Sequence, residues 1–319
     1  MSFSRFASID IGTVTCRLLI ADVDDQGQMH ELFREMAITN LGEGTDATHE
    51  LSKPAIARVA QQVNIFMNDV ARYEEPDVPV HVCAVATSAA RDATNTQDLV
   101  SALAKIGVDL HVIPGSEEAS LSFAGASSDF PGERVLVADV GGGSTELVAG
   151  LAQHEPTFAH SFNVGCRRVT ERFLTTDPPT GREVHDAEAW FDPQFKQFFS
   201  RLEENRFSPN RLVAVAGTAT SVVSIDQEMD PYDPKRVHGS VISADTLETV
   251  LRKLIRMPLK QRRQVVGLQP DRAPVIVAGL IILRDILECS HLRSFTVSEH
   301  DLLQGNVMSA WRNLQRHEK

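Results

Sequence analysis

The chain has 319 residues, 42% of them hydrophobic and 23% charged, enough for two compact domains or one large one and the composition of a folded protein rather than a disordered one. Its apolar runs, such as residues 273–283, fall short of a bilayer span, and Asp10 interrupts the first hydrophobic stretch where a signal peptide needs its apolar core, so a soluble cytoplasmic protein with no membrane partner is expected. A net charge of −12 argues against a nucleic-acid partner tracked by bulk electrostatics, yet it allows an anionic substrate in a locally basic cleft.

Residues 6–11, 16–23 and 29–39 read as strands, with Asp24-Asp25-Gln26-Gly27 as a hairpin turn. Residues 54–73 place Ile56, Val59, Val63, Phe66, Met67 and Val70 at helical spacing and predict an amphipathic helix. A buried strand at 80–86, a helix at 97–105 and a strand at 109–113 follow. Pro114-Gly115 then punctuates the chain, with Ser116 as a candidate N-cap for a helix reaching about residue 126. The strand pattern restarts at 134–139, 145–151 and 157–163, followed by helices at 166–173 and 186–205. A strand at 211–216 runs into Gly217-Thr218 and a helix. Helices at 246–256 and 274–287, a short strand at 295–297 and a closing helix at 301–314 complete the chain.

One unit occurs twice. An apolar strand ends in Asp, then glycine and hydroxyl residues turn the chain into a returning strand, at Asp10-Ile11-Gly12-Thr13-Val14-Thr15 and again at Asp139-Val140-Gly141-Gly142-Gly143-Ser144-Thr145. Each copy opens a run of strands followed by helices, which predicts two related α/β domains facing one another across a cleft. The expected division is 1–122 plus 301–319 against 123–300.

A glycine-rich turn lets successive backbone N–H groups converge with no Cβ in the way, a nest for phosphate oxygens. Ser144, Thr145, Thr13 and Thr15 add hydroxyls. Asp10 or Asp139 beside such a nest would repel phosphate unless a cation lay between them, and Mg²⁺ prefers that combination of carboxylate and phosphate. Glu146, on the return side of the second loop, can converge with Asp139 on one metal. Glu117 and Glu118 open a helix, where they serve either as dipole compensation or, for one of them, as a general base. Thr87-Ser88-Ala89-Ala90-Arg91 is either an exposed turn or a phosphate contact through the arginine fork. Gly217-Thr218 is a weaker phosphate-type turn, and His238 reads first as a loop histidine. The basic residues Arg252, Lys253, Arg256, Lys260, Arg262, Arg263 and Arg272, with Arg167, Arg168 and Arg172, are either solvated helix faces or an anion channel. Cys16, Cys83, Cys166 and Cys289 lack metal-ligand spacing and read as reduced thiols.

In combination and order, Ala7-Ser8-Ile9-Asp10-Ile11-Gly12-Thr13, Ala86-Thr87-Ser88-Ala89-Ala90-Arg91, Gly115-Ser116-Glu117-Glu118-Ala119 and the loop from Asp139 to Glu146 resemble the exopolyphosphatase/guanosine pentaphosphate phosphohydrolase family. Gly165-Cys166, Thr170-Glu171-Arg172-Phe173, Gly217-Thr218-Ala219-Thr220 and Arg272-Ala273-Pro274-Val275-Ile276-Val277-Ala278-Gly279 extend the likeness over nearly the whole chain. The resemblance implies the two-domain actin-like ATPase fold, a duplicated ribonuclease H-like architecture with its active site in the interdomain cleft. It implies Glu118 as the base that activates water, and Asp139 and Glu146 as holders of a divalent metal, Mg²⁺ or Mn²⁺. Asp10, Gly12, Thr13, Thr15, Arg91, Gly141, Gly142, Gly143, Ser144, Thr145, Gly217 and Thr218 would bind phosphate. The implied reaction is release of orthophosphate from the end of polyphosphate, with guanosine pentaphosphate (pppGpp) hydrolysis as the alternative and an actin-fold ATPase or kinase behind it; a homodimer follows by family analogy.

Two departures stand out. Val14 occupies a position where the family usually has asparagine, which removes one polar contact from the first loop. The chain also stops soon after the two-domain core, where longer relatives carry further helical domains, and this leads to the expectation of a preference for short polyphosphate.

Overall fold

Strong alternation of apolar residues sets the first hairpin. In the computed structural model, which describes residues 3–317, β1 (Phe3–Ile11) pairs antiparallel with β2 (Thr15–Asp24), and β2 pairs with β3 (Met29–Ile38). The extreme ends of the first expected domain, residues 1–2 and 318–319, lie outside the described residues. A short helix α1 (Thr45–Thr48) precedes α2 (Lys53–Ala71), whose first turn is capped by the Ser52 hydroxyl accepting from the Ala55 N–H. The chain then enters β4 (Val80–Ala86), which lies parallel to β1, and continues through α3 (Ser88–Asp92) and α4 (Thr96–Ala104) to β5 (Leu110–Val112), parallel to β4. The next helix, α5 (Gly115–Ala126), starts one residue before the expected cap, because the Pro114 carbonyl accepts the N–H groups of both Glu117 and Glu118.

The same order is then repeated. Strands β6 (Arg134–Val140), β7 (Thr145–Leu151) and β8 (Phe158–Phe162) form an antiparallel run. Helices α6 (Cys166–Phe173) and α7 (Gly181–Glu204) lead to β9 (Arg211–Val215), parallel to β6. Helix α7 begins earlier than its apolar periodicity indicates, because Thr180 and Glu183 form a reciprocal capping box at its start. Then come α8 (Ala216–Asp226), α9 (Pro234–Val237), the edge strand β10 (Val241–Ser243), α10 (Ala244–Ile255), α11 (Leu259–Arg262) and α12 (Ile276–Cys289). Strand β11 (Ser294–Val297) lies parallel to β9 and antiparallel to β10, and α13 (Leu302–His317) ends the described chain. The three-residue β10 is too short to show a period in the sequence.

The first sheet has the order β3-β2-β1-β4-β5 and the second β8-β7-β6-β9-β11-β10. Apart from the edge strand β10, these are one topology used twice, the duplicated ribonuclease H-like, actin-like arrangement. The chain divides into two compact units, residues 1–125 with 302–319, and 126–301. In the first unit the sheet is covered on both faces. Ala7, Ile9 and Ile11 pack with Val59, Val63 and Phe66 of α2 and Leu99 of α4. On the other face Phe6, Leu19, Ala21 and Val23 meet Leu303 and Val307 of α13. In that buried seam the Asn306 amide donates to the Ser8 hydroxyl at 3.0 Å and the Cys83 carbonyl at 3.1 Å. In the second unit Leu136, Ala138, Leu147, Leu212 and Ala214 pack against helices α6, α7, α8, α10 and α12, with Phe162 edge-on to Phe195 at 5.0 Å.

Among the described residues no helix is long and apolar enough to cross a membrane. All four cysteines are free thiols. Burial pushes the thiols of Cys16, Cys83 and Cys289 up to about 12, so they remain protonated and inert at neutral pH.

One carboxyl group on the α7–α12 face works against the fold. Burial, then the nearby Asp192 and Glu288, push the Asp285 carboxyl from 3.8 up to about 7, while Lys196 lowers it less. The native state therefore holds a proton that the unfolded chain releases, and stability from this group falls as pH rises between the two values. Asp285→Asn should raise the thermal midpoint at pH 8 and leave it little changed at pH 4, measured by circular dichroism; an equal shift at both pH values would contradict the assignment.

Candidate active site

The candidate residues fall in two groups, one in each unit. In the second unit the loop between β6 and β7 is shaped by the start of α6. The Cys166 N–H donates to the Gly141 carbonyl at 2.9 Å and the Arg167 N–H to the Gly142 carbonyl at 2.8 Å. The Arg168 Nε donates to the Gly143 carbonyl at 2.9 Å. A trans peptide is planar, so a carbonyl directed at α6 turns the N–H of the following residue the other way. The N–H groups of Gly142, Gly143 and Ser144 thus face away from the helix together, the arrangement an anion nest requires. The same contacts satisfy donors at the helix N-terminus.

Gly165 makes that approach possible. A Cβ there would overlap the backbone of Gly142 and Gly143. Thr145 is fully buried, and its hydroxyl donates to the Val164 carbonyl at 2.5 Å, so its side chain braces the loop from beneath. Asp139 and Glu146 are direct partners across the antiparallel ladder, which puts their side chains on one face. Both are buried, and the Ser161 hydroxyl donates to Glu146 Oε1 at 2.7 Å. Two opposed carboxylates with a hydroxyl orienting one of them form a hard-oxygen donor set, which fits Mg²⁺ or Mn²⁺ and suits soft metals poorly.

The first unit has a loop of the same build between β1 and β2. The Gly12 N–H donates to the Thr15 carbonyl at 2.9 Å, as the Gly141 N–H does to Ser144 at 3.0 Å. The Thr13 carbonyl accepts from Gly42, and the Val14 carbonyl from Thr39 and Asn40, all within 3.0 Å. Gly42 is needed at that contact, since a Cβ would overlap the Thr13 methyl. Val14, the departure from the family pattern, is buried, so an apolar side chain suits this position. At the base of the loop Arg17 donates through Nη2 and Nε to Asp10 Oδ2, at 2.7 and 2.9 Å.

The two glutamates at the start of α5 have separate surroundings. Glu117 is exposed, as dipole compensation requires, whereas Glu118 is buried. Glu118 Oε2 accepts from Arg91 Nη1 at 2.9 Å, and the same nitrogen donates to the Ile113 carbonyl at 3.2 Å. Arg91 Nη2 is buried without a hydrogen-bond partner. The segment read as a possible exposed turn is instead the helix α3, with Ser88, Ala89 and Ala90 all buried. Its packing is what fixes Arg91 against Glu118.

The third turn, between β9 and α8, is strained at Ala216, whose φ is +64°. Gly217 lies under the Arg272 guanidinium, which a Cβ would overlap. Thr218 is buried with its hydroxyl directed at the Val140 carbonyl at 3.4 Å. The basic run is not one surface. Arg262 is buried on Asp177 at 2.9 Å, and Arg252 pairs with Glu248 at 2.6 Å, while Arg272 sits at the Gly217 turn. His238 has a structural place: its Nδ1 accepts the Glu299 N–H at 3.1 Å. Arg17 and Gly42 were not singled out by position in the sequence, and Gly165 entered only as part of the family resemblance, because each acts through a neighbour brought to it by pairing or packing.

The sequence profile of the Ppx/GppA phosphatase family matches residues 19–313. A Mycobacterium tuberculosis protein named exopolyphosphatase 2 is 37% identical over 97% of this chain and 99% of its own length. The crystal structure of an exopolyphosphatase-like protein agrees with a TM-score of 0.89 at 33% identity, over 99% of this chain and 100% of the other. The Aquifex aeolicus member of the Ppx/GppA family agrees with a TM-score of 0.77 at 28% identity, over 98% and 99%.

Gly165→Ala should displace the Gly142–Gly143 backbone and weaken orthophosphate binding about tenfold or more, read by calorimetry. Gly181→Ala, where an added Cβ meets nothing within 4 Å, is the matched control and should bind as the parent does. Equal binding by both variants would remove the tethered nest from the argument.

Proposed function

The chain belongs to the Ppx/GppA phosphatase family, and from that premise we propose that it is an exopolyphosphatase, releasing orthophosphate from the end of inorganic polyphosphate. The observation that carries the reading is the tying of the Gly141, Gly142 and Gly143 carbonyls to the start of α6 and to Arg168, which turns the following N–H groups the other way, beside the Asp139–Glu146 pair. A phosphoanhydride hydrolase needs donors for the oxygens of the transferred phosphoryl group and a cation to offset charge, more than it needs a covalent nucleophile.

In this assignment Glu118 is the general base. Its carboxylate takes a proton from water as the water oxygen bonds to the terminal phosphorus. The bridging P–O bond breaks, and its electrons stay on the oxygen of the shortened chain. Arg91 orients Glu118 through Nη1, and its buried Nη2, which has no hydrogen-bond partner among the described residues, is the donor for a phosphate oxygen. The N–H groups of Gly142, Gly143 and Ser144, with the Ser144 hydroxyl, receive the terminal phosphate. Asp10, Gly12, Thr13 and Thr15 form the corresponding receptor in the first unit. Thr145 and Thr218 support their loops through hydroxyls committed to Val164 and Val140. Gly217 gives Arg272 its approach to the third turn. Mg²⁺ or Mn²⁺, held by Asp139 and Glu146, would supply charge neutralisation at the transferred phosphoryl group.

The deciding experiment is phosphate release with Mg²⁺ from short polyphosphate, long polyphosphate, pppGpp and ATP. Polyphosphate should be the preferred substrate. Turnover of pppGpp or ATP with no release from polyphosphate of any length would overturn the reading. Glu118→Gln should lower kcat by about 10²–10⁴-fold with the fold intact, and undiminished activity would remove Glu118 as base.

Arg91 separates orientation from simple substrate attraction. Arg91→Lys retains charge but loses the fork, so kcat should fall by about 10²-fold, the scale of a small misplacement of a reacting group. A change confined to KM would assign Arg91 to substrate binding alone.

A further inference from the structure

The first loop is held from behind by residues 39–43, which follow β3. The Thr39 and Asn40 N–H groups both donate to the Val14 carbonyl, at 3.0 and 2.9 Å, and the Gly42 N–H donates to the Thr13 carbonyl at 2.9 Å. Peptide planarity then turns the N–H groups of Val14 and Thr15 away from that segment, as the start of α6 does in the second loop. The first loop therefore keeps its shape only as long as residues 39–43 keep theirs.

That segment carries strain. Asn40 has a φ of +52°, the left-handed region that is costly for a residue with a Cβ and persists where its surroundings enforce it. One side chain reaches the peptide groups on both sides of Asn40. Arg58 donates through Nε to the Thr39 carbonyl at 2.9 Å and through Nη2 to the Asn40 carbonyl at 3.2 Å. Nη2 also donates to Glu43 Oε2 at 3.1 Å, at the far end of the same segment. The peptide between Thr39 and Asn40 is the link, because its carbonyl lies on Arg58 and its N–H lies on the Val14 carbonyl. Arg58 is itself mounted on a fixed support, since Val59 and Val63 of α2 are buried in the core. A guanidinium presents its donors in a rigid planar fork that can span two carbonyls, whereas an ammonium is a single point of charge.

We propose that Arg58 is a positioning residue for phosphate binding. Through residues 39–43 it fixes the Thr13 and Val14 carbonyls, and so the direction of the N–H groups with which the first loop receives a phosphate group of the substrate. Its effect comes through the fork rather than through its charge. The inference rests on the polyphosphate reading for the identity of the anion.

The test uses the full chain and two measurements that need no turnover. Binding of a methylene-bridged triphosphate, which cannot be hydrolysed, is followed by calorimetry with Mg²⁺, and amide hydrogen exchange is followed residue by residue by NMR. Arg58→Met and Arg58→Lys should each bind the analogue about tenfold more weakly than the parent, the scale of a lost hydrogen bond from a charged donor. In both variants the amides of Thr39, Asn40 and Gly42 should exchange about tenfold faster or more, while those of Val59 and Val63 keep the parental rate. Arg72→Met, which removes an arginine paired with Asp69 one turn away, is the matched control and should bind as the parent does. Any of three results overturns the proposal: parent-like binding by Arg58→Lys, parental exchange at residues 39–42 in a folded Arg58 variant, or faster exchange spread equally through α2. Arg58→Lys decides the matter even if Arg58→Met does not fold. Failure of the activity reading shows separately, as an absence of phosphate release from polyphosphate by the parent with Mg²⁺, and leaves the exchange result standing.

Discussion

The site in the second unit depends on where the carbonyls of Gly141, Gly142 and Gly143 go. Hydrogen bonds from the start of α6 and from Arg168 hold all three on one side. Peptide planarity then leaves the following N–H groups little choice of direction. Three consecutive glycines alone specify a flexible turn; the helix start fixes its conformation. Gly165 is as necessary to this as the glycines of the loop, because the helix start could not approach with a Cβ in the way. The hydroxyls of Thr145 and Thr218 belong to the same frame, since both are spent on backbone carbonyls.

Buried charge is the second organising constraint. Asp10, Glu118, Asp139 and Glu146 are all withdrawn from water at strand ends or a helix start. Removing one partner of a buried ion pair commonly costs about 3–5 kcal/mol, more than most packing contacts contribute, so arginines set opposite such acids are not incidental. In the first unit Arg17 sits on Asp10 and Arg91 on Glu118. In the second, the ladder sets Asp139 opposite another acid. One topology thus sets an arginine opposite the loop aspartate in one unit and a glutamate opposite it in the other.

The first unit also draws on distant chain. Helix α13 follows the whole second unit in sequence, yet it covers one face of the first sheet and donates to Ser8 and Cys83 through Asn306. The strand that carries Asp10 near its end is therefore buried on both faces, by α2 on one side and α13 on the other. That double burial keeps Asp10 and its loop in register, because a slip of one residue would carry the apolar set to the wrong face.

Much of this was legible in the chain itself. Periodicity located the main helices and strands, and the repeat of Asp, glycine and hydroxyl residues marked both loops and the duplicated fold, since local sterics and alternating burial act within a few residues. The family resemblance pointed to Glu118, Asp139 and Glu146. Elements set by only a few residues escaped: β10 has too little length for a period, and α7 starts early through a side-chain cap. Tertiary structure alone decided which glutamate of the 117–118 pair is buried, that Arg91 clamps it, that Val14 belongs inside, that the space at Gly165 is filled by the Gly142–Gly143 backbone and that the space at Gly42 is filled by the Thr13 side chain. It also set Arg17 against Asp10, a pairing fixed by strand register. Sequence determines local conformation and the supply of chemical groups, but a counter-ion or a missing Cβ acquires meaning only from what packs against it, and those neighbours arrive from elsewhere in the chain.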